Sequence, residues 1–413
     1  MKRIIFHVDV NSAFLSWEAA LRVSRGEEDI RLIPAAIGGD REKRTGVVLA
    51  KSMPAKKYGI KTGEPIGMAL KKCPHLYLAR PNFKLYENSS KAFMDICRRY
   101  APVVEKYSID ECFLDMTGTE KIYPDIIATA NEIREKIKNE LGFTVNIGVG
   151  SNKLLAKMAS DFEKPDKVHT LFDCEVEAKM WSLPVRELFT IGASTAEKLE
   201  KAYITTIGDL AKLDIGVLRS IIGVKYGEQL HEFANGIDNS EVCENAEKAK
   251  GYSNSTTLEN DLTSSEEAYR IFLALSDITA TRMRADGARA CCVSVTVRTN
   301  DFKDRSHQRK LNAPTDITNE IFNISKELFA ELWDKKTPLR LLGIALTNIT
   351  YDDDVQLTLF DNGDKDKARA LDKTVDSIRS KFGADVIVRG GAFGSTTNVG
   401  KKHKAQIDNK IKK

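Results

Sequence analysis

YSIDECFLD, residues 107–115, sets two acids side by side, Asp110 and Glu111, in a stretch otherwise suited to a buried strand, with a third, Asp115, four residues later. Side chains alternate faces along a regular strand, so Asp110 and Glu111 can serve one site only where the chain bends. Val103 and Val104 ahead of the motif, and Phe113 and Leu114 within it, are strand formers, so residues 101–117 read as two strands folding back around Ser108–Glu111. Asp115 lies beyond that bend and is the poorer candidate.

Working outward, RIIFHVDV (residues 3–10) alternates Ile4, Phe6, Val8 and Val10 with Ile5, His7 and Asp9, the pattern of a half-buried strand with Asp9 near the end of its polar face. A helix is expected after it, with Ser12 as N-cap. Residues 120–141 read as a helix, FTVNIGVG (143–150) as a strand, and SNKLLAKMASDF (151–162) as the opening of another helix. Strand, helix, hairpin, helix, strand is compatible with a ferredoxin-like α+β sheet. In it Asp9 could meet Asp110 and Glu111 at the hairpin bend. Two like charges ~4 Å apart repel by about 1 kcal/mol in water and about 4 at an effective dielectric of 20, so such a cluster is unfavourable alone. Divalent cations reverse the sign, and Mg²⁺ favours a few carboxylates plus waters and substrate phosphates. Two acids in a turn are otherwise ordinary solvated surface; here Ile109, Cys112, Phe113 and Leu114 embed them in apolar residues.

The chain has 413 residues, 42% hydrophobic and 30% charged, which suits a soluble protein of two to four domains with no membrane segment or secretion signal. Seven cysteines without a CxxC fit a reducing, cytoplasmic setting, and a net charge of +4 argues little by itself. Residues 166–240 read as a small all-α domain in which the glycines of TIGAS (Gly192) and IIGVK (Gly223) either cap helices or expose backbone amides to a phosphate. After a tether at 241–250, residues 251–350 read as a second α+β unit. Its segment 282–310 holds eight Lys/Arg against three Asp/Glu. There Val293, Val295 and Val297 should face the helices, while Ser294, Thr296 and Arg298 face outward in a way that suits a duplex backbone. The final strand, LLGIALTNI, is largely apolar and supports DNA contact less. Residues 351–413 are polar apart from QLTLF (356–360) and a helix-like stretch around 366–382, and they end in a lysine-rich tail expected to be mobile.

HVDVNSAF, YSIDECFLD and GVGSNKLLAKMASDFEKPD, with this order of domains, resemble the Y-family (translesion) DNA polymerases over about residues 1–350. The resemblance implies a palm at 1–165 with fingers inserted at about 18–75, a thumb at 166–240, a little finger at 251–350 and a tail at 351–413. It implies that Asp9, Asp110, Glu111 and the Val10 carbonyl bind two Mg²⁺ ions, or Mn²⁺ in their place. Phe14 would be the steric gate against a ribose 2′-OH, and Lys164 the triphosphate-binding lysine. The fingers positions where a tyrosine and an arginine commonly grip the triphosphate are Met53 and Lys56 here, which lose a hydroxyl and a planar fork. Gly192 and Gly223 would touch DNA in the thumb, as would Ser294, Thr296 and Arg298 in the little finger. Gln356, Leu357, Leu359 and Phe360 look like a bacterial sliding-clamp-binding motif. The implied reaction is template-directed attack of a primer 3′-OH on a dNTP by a monomer bound to primed template. No segment is left for a proofreading exonuclease, which implies low fidelity and copying past damage. Rival readings are a nucleotidyl cyclase on a similar palm and a non-catalytic DNA- or clamp-binding accessory protein.

Overall fold

The computed structural model describes residues 3–39, 46–244, 248–351, 364–383 and 386–392. They fall into two compact units, the described part of the first ending at Glu244 and that of the second beginning at Lys248. Among the described residues no helix is long and apolar enough to cross a membrane.

The first unit opens with β1 (Ile5–Val10) and α1 (Ala13–Ser24). A small three-stranded sheet follows, made of β2 (Ala35–Gly38), β3 (Val48–Lys51) and β4 (Tyr77–Ala79), with α2 (Met53–Lys57) and α3 (Ile66–Lys72). Next come α4 (Phe83–Cys97), β5 (Val103–Lys106), β6 (Glu111–Asp115), α5 (Ile126–Leu141), β7 (Val145–Gly150), α6 (Lys153–Asp161) and β8 (Val168–Leu171). The main sheet runs β5-β6-β1-β7-β8, with β1 antiparallel to both β6 and β7 and β8 added parallel at the edge. Its first four strands and α4 and α5 reproduce the split β-α-β arrangement of a ferredoxin-like sheet.

Phe6, Val8 and Val10 pack with Cys112, Leu114, Ile147, Trp17, Tyr86 and Phe93 in the main core. The other face of β1 is not open to solvent, as a half-buried strand would have it: every residue of β1 is buried. The reason is α6, which closes over Ile5, His7 and Asp9. Gly148 and Gly150 sit opposite His7 and Ile5, and a Cβ on Gly148 would lie 1.9 Å from the Ala156 carbonyl oxygen. Bare backbone at these two positions lets the helix touch the sheet. The remainder of the unit is helical: α7 (Ala193–Lys201), α8 (Ile207–Lys212), α9 (Ile215–Ile222) and α10 (Val224–Ala234) bury Leu199, Leu210, Leu218 and Leu230 against Leu155 and Met158 of α6.

In the second unit β9 (Gly251–Leu262), β10 (Arg289–Thr299), β11 (Asp304–Thr315) and β12 (Leu339–Thr350) form an antiparallel sheet ordered β11-β10-β12-β9. One face, with Val293, Val295, Val297, Leu342 and Ile344, packs under α11 (Ser265–Ala285) and α12 (Thr318–Leu332). The stretch read as a tail contains α13 (Asp364–Phe382), which docks through charge. Arg284 lies 2.7 Å from Asp376, Arg379 is 2.7 Å and Arg389 3.0 Å from Asp277, and Arg369 is 2.8 Å from Asp316. Leu371 and Phe382 of the same helix are exposed. Burial pushes the Asp277 carboxyl up, but Arg379 and Arg389 outweigh it and hold it below the usual range. A lowered carboxylate stabilises the fold fully above its unfolded value of about 3.9 and loses that contribution as pH falls through the native one. Because Arg379 would be left buried and unpaired, Asp277→Ala is expected to destabilise this unit by about 3 kcal/mol at neutral pH. The loss should shrink as pH falls through the native value of Asp277; chemical denaturation over a descending pH series measures the difference.

Candidate active site

Asp9 lies directly across from Glu111 on β1 and β6. Beyond them the Val10 amide donates to the Asp110 carbonyl at 3.0 Å, so the β5–β6 bend closes over the end of β1. Inside the bend the Tyr107 and Ser108 amides both donate to the Glu111 carbonyl at 3.1 Å. The Ser108 hydroxyl donates to the Asp110 carboxylate at 2.6 Å. This is the departure from strand geometry that two neighbouring acids need to share a site. Asp9, Val10, Phe14, Met53, Lys56, Asp110, Glu111 and Lys164 all line one cavity of about 600 Å³.

The amines facing these acids come from α6 and the residues just after it. Lys157 Nζ is 2.7 Å from Glu111 Oε1, while Lys164 Nζ contacts Asp9 Oδ2 and lies 2.7 Å from Asp161 Oδ1. Lys157 and Asp161 are spaced i, i+4 on α6, and Lys164 follows just past the end of that helix. Lys157, His7 and Asn146 were missed, since each looks like an ordinary surface or strand residue in isolation. Buried Asn146, opposite Asp9, donates to the Ser160 and Glu163 carbonyls at 3.1 and 2.7 Å and so ties the end of α6 to β7. His7 Nδ1 is 2.8 Å from the Ser160 hydroxyl, and its Nε2 is 3.7 Å from Glu111 Oε2.

Burial pushes the Asp9 carboxyl up to about 6 against the pull of Lys164. It pushes His7 down to about 4, so the ring is neutral at pH 7. Burial would also raise Glu111, but the nearby His7 ring and the hydrogen bond and charge of Lys157 outweigh it and bring the carboxyl down to about 2; with His7 neutral, the opposing charge is that of Lys157. The acids are hard oxygen donors of the kind Mg²⁺ and Mn²⁺ take. Among the described residues no three Asp, Glu, His or Cys side chains converge as a ready-made metal cage. Substrate oxygens would have to complete any coordination shell.

Phe14, in the first turn of α1, stacks on Tyr86 with ring centroids 4.6 Å apart and forms a fixed wall of the cavity. Ser12 precedes that helix but does not cap it as expected. It is left-handed (φ 49°) with no capping side-chain bond, and its carbonyl accepts from the Ser16 amide. Met53 starts α2 with 52% of its surface exposed.

Gly192 and Gly223 are not among the residues that line this cavity. Gly192 precedes α7, and Gly223, at φ 92°, joins α9 to α10; space is open around both. In the second unit Ser294 and Thr296 do face away from the helices, across from Gln308 and Ser306 on one side and Ala345 and Gly343 on the other. That face is small and polar more than basic. Arg298 is neutralised by both oxygens of Asp304, at 2.6 and 2.8 Å, and Arg309 turns to the helix side, where it pairs with Glu327 and Glu331. Alternation along β11 thus sends part of the segment's positive charge to the wrong face for DNA. Gln356, Leu357, Leu359 and Phe360 lie outside the described residues.

An acid-bearing ferredoxin-like sheet with an inserted small sheet, followed along the chain by a helical region and a second α+β unit, is the order of parts found in palm-bearing polymerases. Residues 8–161 match the impB/mucB/samB family, residues 249–359 its C-terminal domain, and residues 186–238 the thumb domain of DNA polymerase-iota. The chain is 46% identical to DNA polymerase IV of Clostridium acetobutylicum over 94% of its length and 98% of the relative's. It is 35% identical to DNA polymerase IV 1 of Bacillus subtilis over 95% and 93%. A solved Y-family DNA polymerase chimera superposes with a TM-score of 0.73 at 22% identity, covering 84% of this chain and all of that one. The chain belongs to the Y-family (translesion) DNA polymerases, and within them it is similar to the bacterial DNA polymerase IV type. This gives no support to the cyclase or accessory-protein readings.

Proposed function

We propose that the chain is a template-directed, low-fidelity DNA polymerase that joins dNTPs to a primer 3′-OH and copies past damaged template. The observation that carries this reading is the single cavity lined by Asp9, Asp110 and Glu111 with Lys164 and Lys56. Two divalent ions, Mg²⁺ or Mn²⁺, would be held by Asp9, Asp110, Glu111 and the Val10 carbonyl, and would activate the attacking oxygen and stabilise the leaving one. The chain's own part is placement. Lys157 holds Glu111, with the His7 ring packed nearby, and Ser108 holds Asp110 at the bend. Lys164 pairs with Asp9 and would be the lysine that binds the triphosphate. Phe14, fixed by Tyr86, would stand beneath the sugar.

Phe14→Ala is expected to raise incorporation of a ribonucleotide relative to its deoxy counterpart by about tenfold or more, the order of the ~1–3 kcal/mol that overpacking costs. Single-nucleotide insertion with paired dNTP and rNTP measures this. An unchanged ratio would remove Phe14 from the sugar site.

The reading also takes the enzyme to be a cytoplasmic monomer that meets a bacterial sliding clamp through Gln356, Leu357, Leu359 and Phe360, with Gly192, Gly223, Ser294, Thr296 and Arg298 against DNA. Replacing Leu359 and Phe360 by alanine should abolish clamp-stimulated synthesis and leave clamp-free synthesis within about twofold, because apolar anchors carry most of the energy of such peptides.

A further inference from the structure

One wall of the nucleotide cavity presents an amine for which no role has been given. Lys51 ends β3, and Leu49 and Lys51, half-buried and on the same side of that strand, both line the cavity. Lys51 Nζ donates to the Thr62 hydroxyl at 3.2 Å, and Thr62 lines the cavity as well. Lys56 lies on the same wall, and among the described residues neither lysine has a carboxylate ion-pair partner. Glu64, the nearest acid to act on Lys51, gives its oxygens to Lys72 and to the Lys61 amide. Burial and the charge of Lys56 together push the Lys51 amine down, so the two amines lie close enough to act on each other.

The other polar groups on this wall are already used. Ser52 Oγ donates to the Ile33 carbonyl and accepts from the Ala35 and Ala55 amides. Arg31 is held by both oxygens of Asp29 and by the Gly142 carbonyl. The Met53 side chain has no donor. The side-chain donors left on this wall are Lys51, Lys56 and Thr62.

We propose that Lys51 is a nucleotide-binding residue that joins Lys56 in a two-amine grip on the polyphosphate of the incoming nucleotide, in the cavity that Lys164 also lines, and supplies the side-chain donor that Met53 cannot. The inference rests on the polymerase reading for the identity of the nucleotide, but not for the presence of an anion site. A flexible ammonium is a point charge with three donors, so it can serve a triphosphate without the planar fork of an arginine.

The test measures binding of a fluorescent dNTP whose α–β bridging oxygen is an imido group, with Mg²⁺ and primed template, alongside steady-state insertion of dNTPs. Lys51→Ala should weaken analogue binding and raise KM by about tenfold, the loss of one charge-assisted hydrogen bond, with kcat within about twofold. Lys51→Arg should recover to within about threefold. Lys57→Ala, an exposed neighbour outside the cavity, should bind as the wild type does. Analogue affinity of Lys51→Ala within twofold of wild type would overturn the proposal, as would an equal loss in Lys57→Ala or a fall in kcat alone. A wild type that binds the analogue through Lys51 yet extends no primer would overturn the polymerase reading and leave the anion site standing.

Discussion

Asp9→Ala is expected to lower the rate of primer extension by at least about a thousandfold while leaving duplex affinity within about threefold. Asp9 lies opposite Glu111 in the cavity and would be one of the acids that hold the divalent ions of the proposed reaction. Metal-ion stabilisation of the transition state is worth several kcal/mol, and each 1.36 kcal/mol is tenfold. The fold should survive, because the partner freed by the change, Lys164, has 37% of its side chain exposed and keeps Asp161 at 2.7 Å. Circular dichroism and rapid-quench extension on the same preparation would check both halves. A variant that retains a tenth of wild-type activity would remove Asp9 from the chemistry.

The second large effect is structural. Gly148→Ala places a methyl where the Ala156 carbonyl oxygen and the Ser160 amide already lie, at 1.9 and 2.4 Å, and both obstacles are backbone. Rotamer changes cannot relieve them, so α6 must move off the sheet. About 3 kcal/mol of stability or more should be lost, at the upper end of overpacking costs. The motion would also carry Lys157 away from Glu111 and Lys164 from Asp9. Insertion kinetics at a temperature where the variant is still folded should therefore show a raised KM for dNTP. Unchanged stability together with unchanged kinetics would mean that α6 does not need this close approach.

The acid half of the site was legible because strand alternation and a hairpin bend are local: Asp9 ends an alternating strand, and Ser108–Glu111 interrupts one. The amine half was only partly so. Lys157 becomes a neighbour of Glu111 through a helix that lies on β7, and only the glycines of NIGVG hint at that contact. The outer face of the second sheet was read correctly for Ser294 and Thr296. Its charge was overestimated because pairings such as Arg298 with Asp304 and Arg309 with Glu327 join different elements. For α13, a rule that turns apolar residues inward would bury Leu371 and Phe382, and the structure instead turns Asp372, Asp376 and Arg379 toward α11. Periodicity marks an amphipathic helix but does not say which face docks when the receiving surface is itself charged.

Extension of a primed template with dNTPs and Mg²⁺, comparing the wild type with Asp110→Ala, tests the central claim most directly. Asp110 is held in the bend by Ser108 and borders the cavity, and its removal takes away one of the acids proposed to hold metal. The account predicts template-directed extension by the wild type and none above background by the variant, with both still binding the duplex. Wild-type protein that binds the duplex but adds no nucleotide, or a variant that extends as well as the wild type, would contradict it.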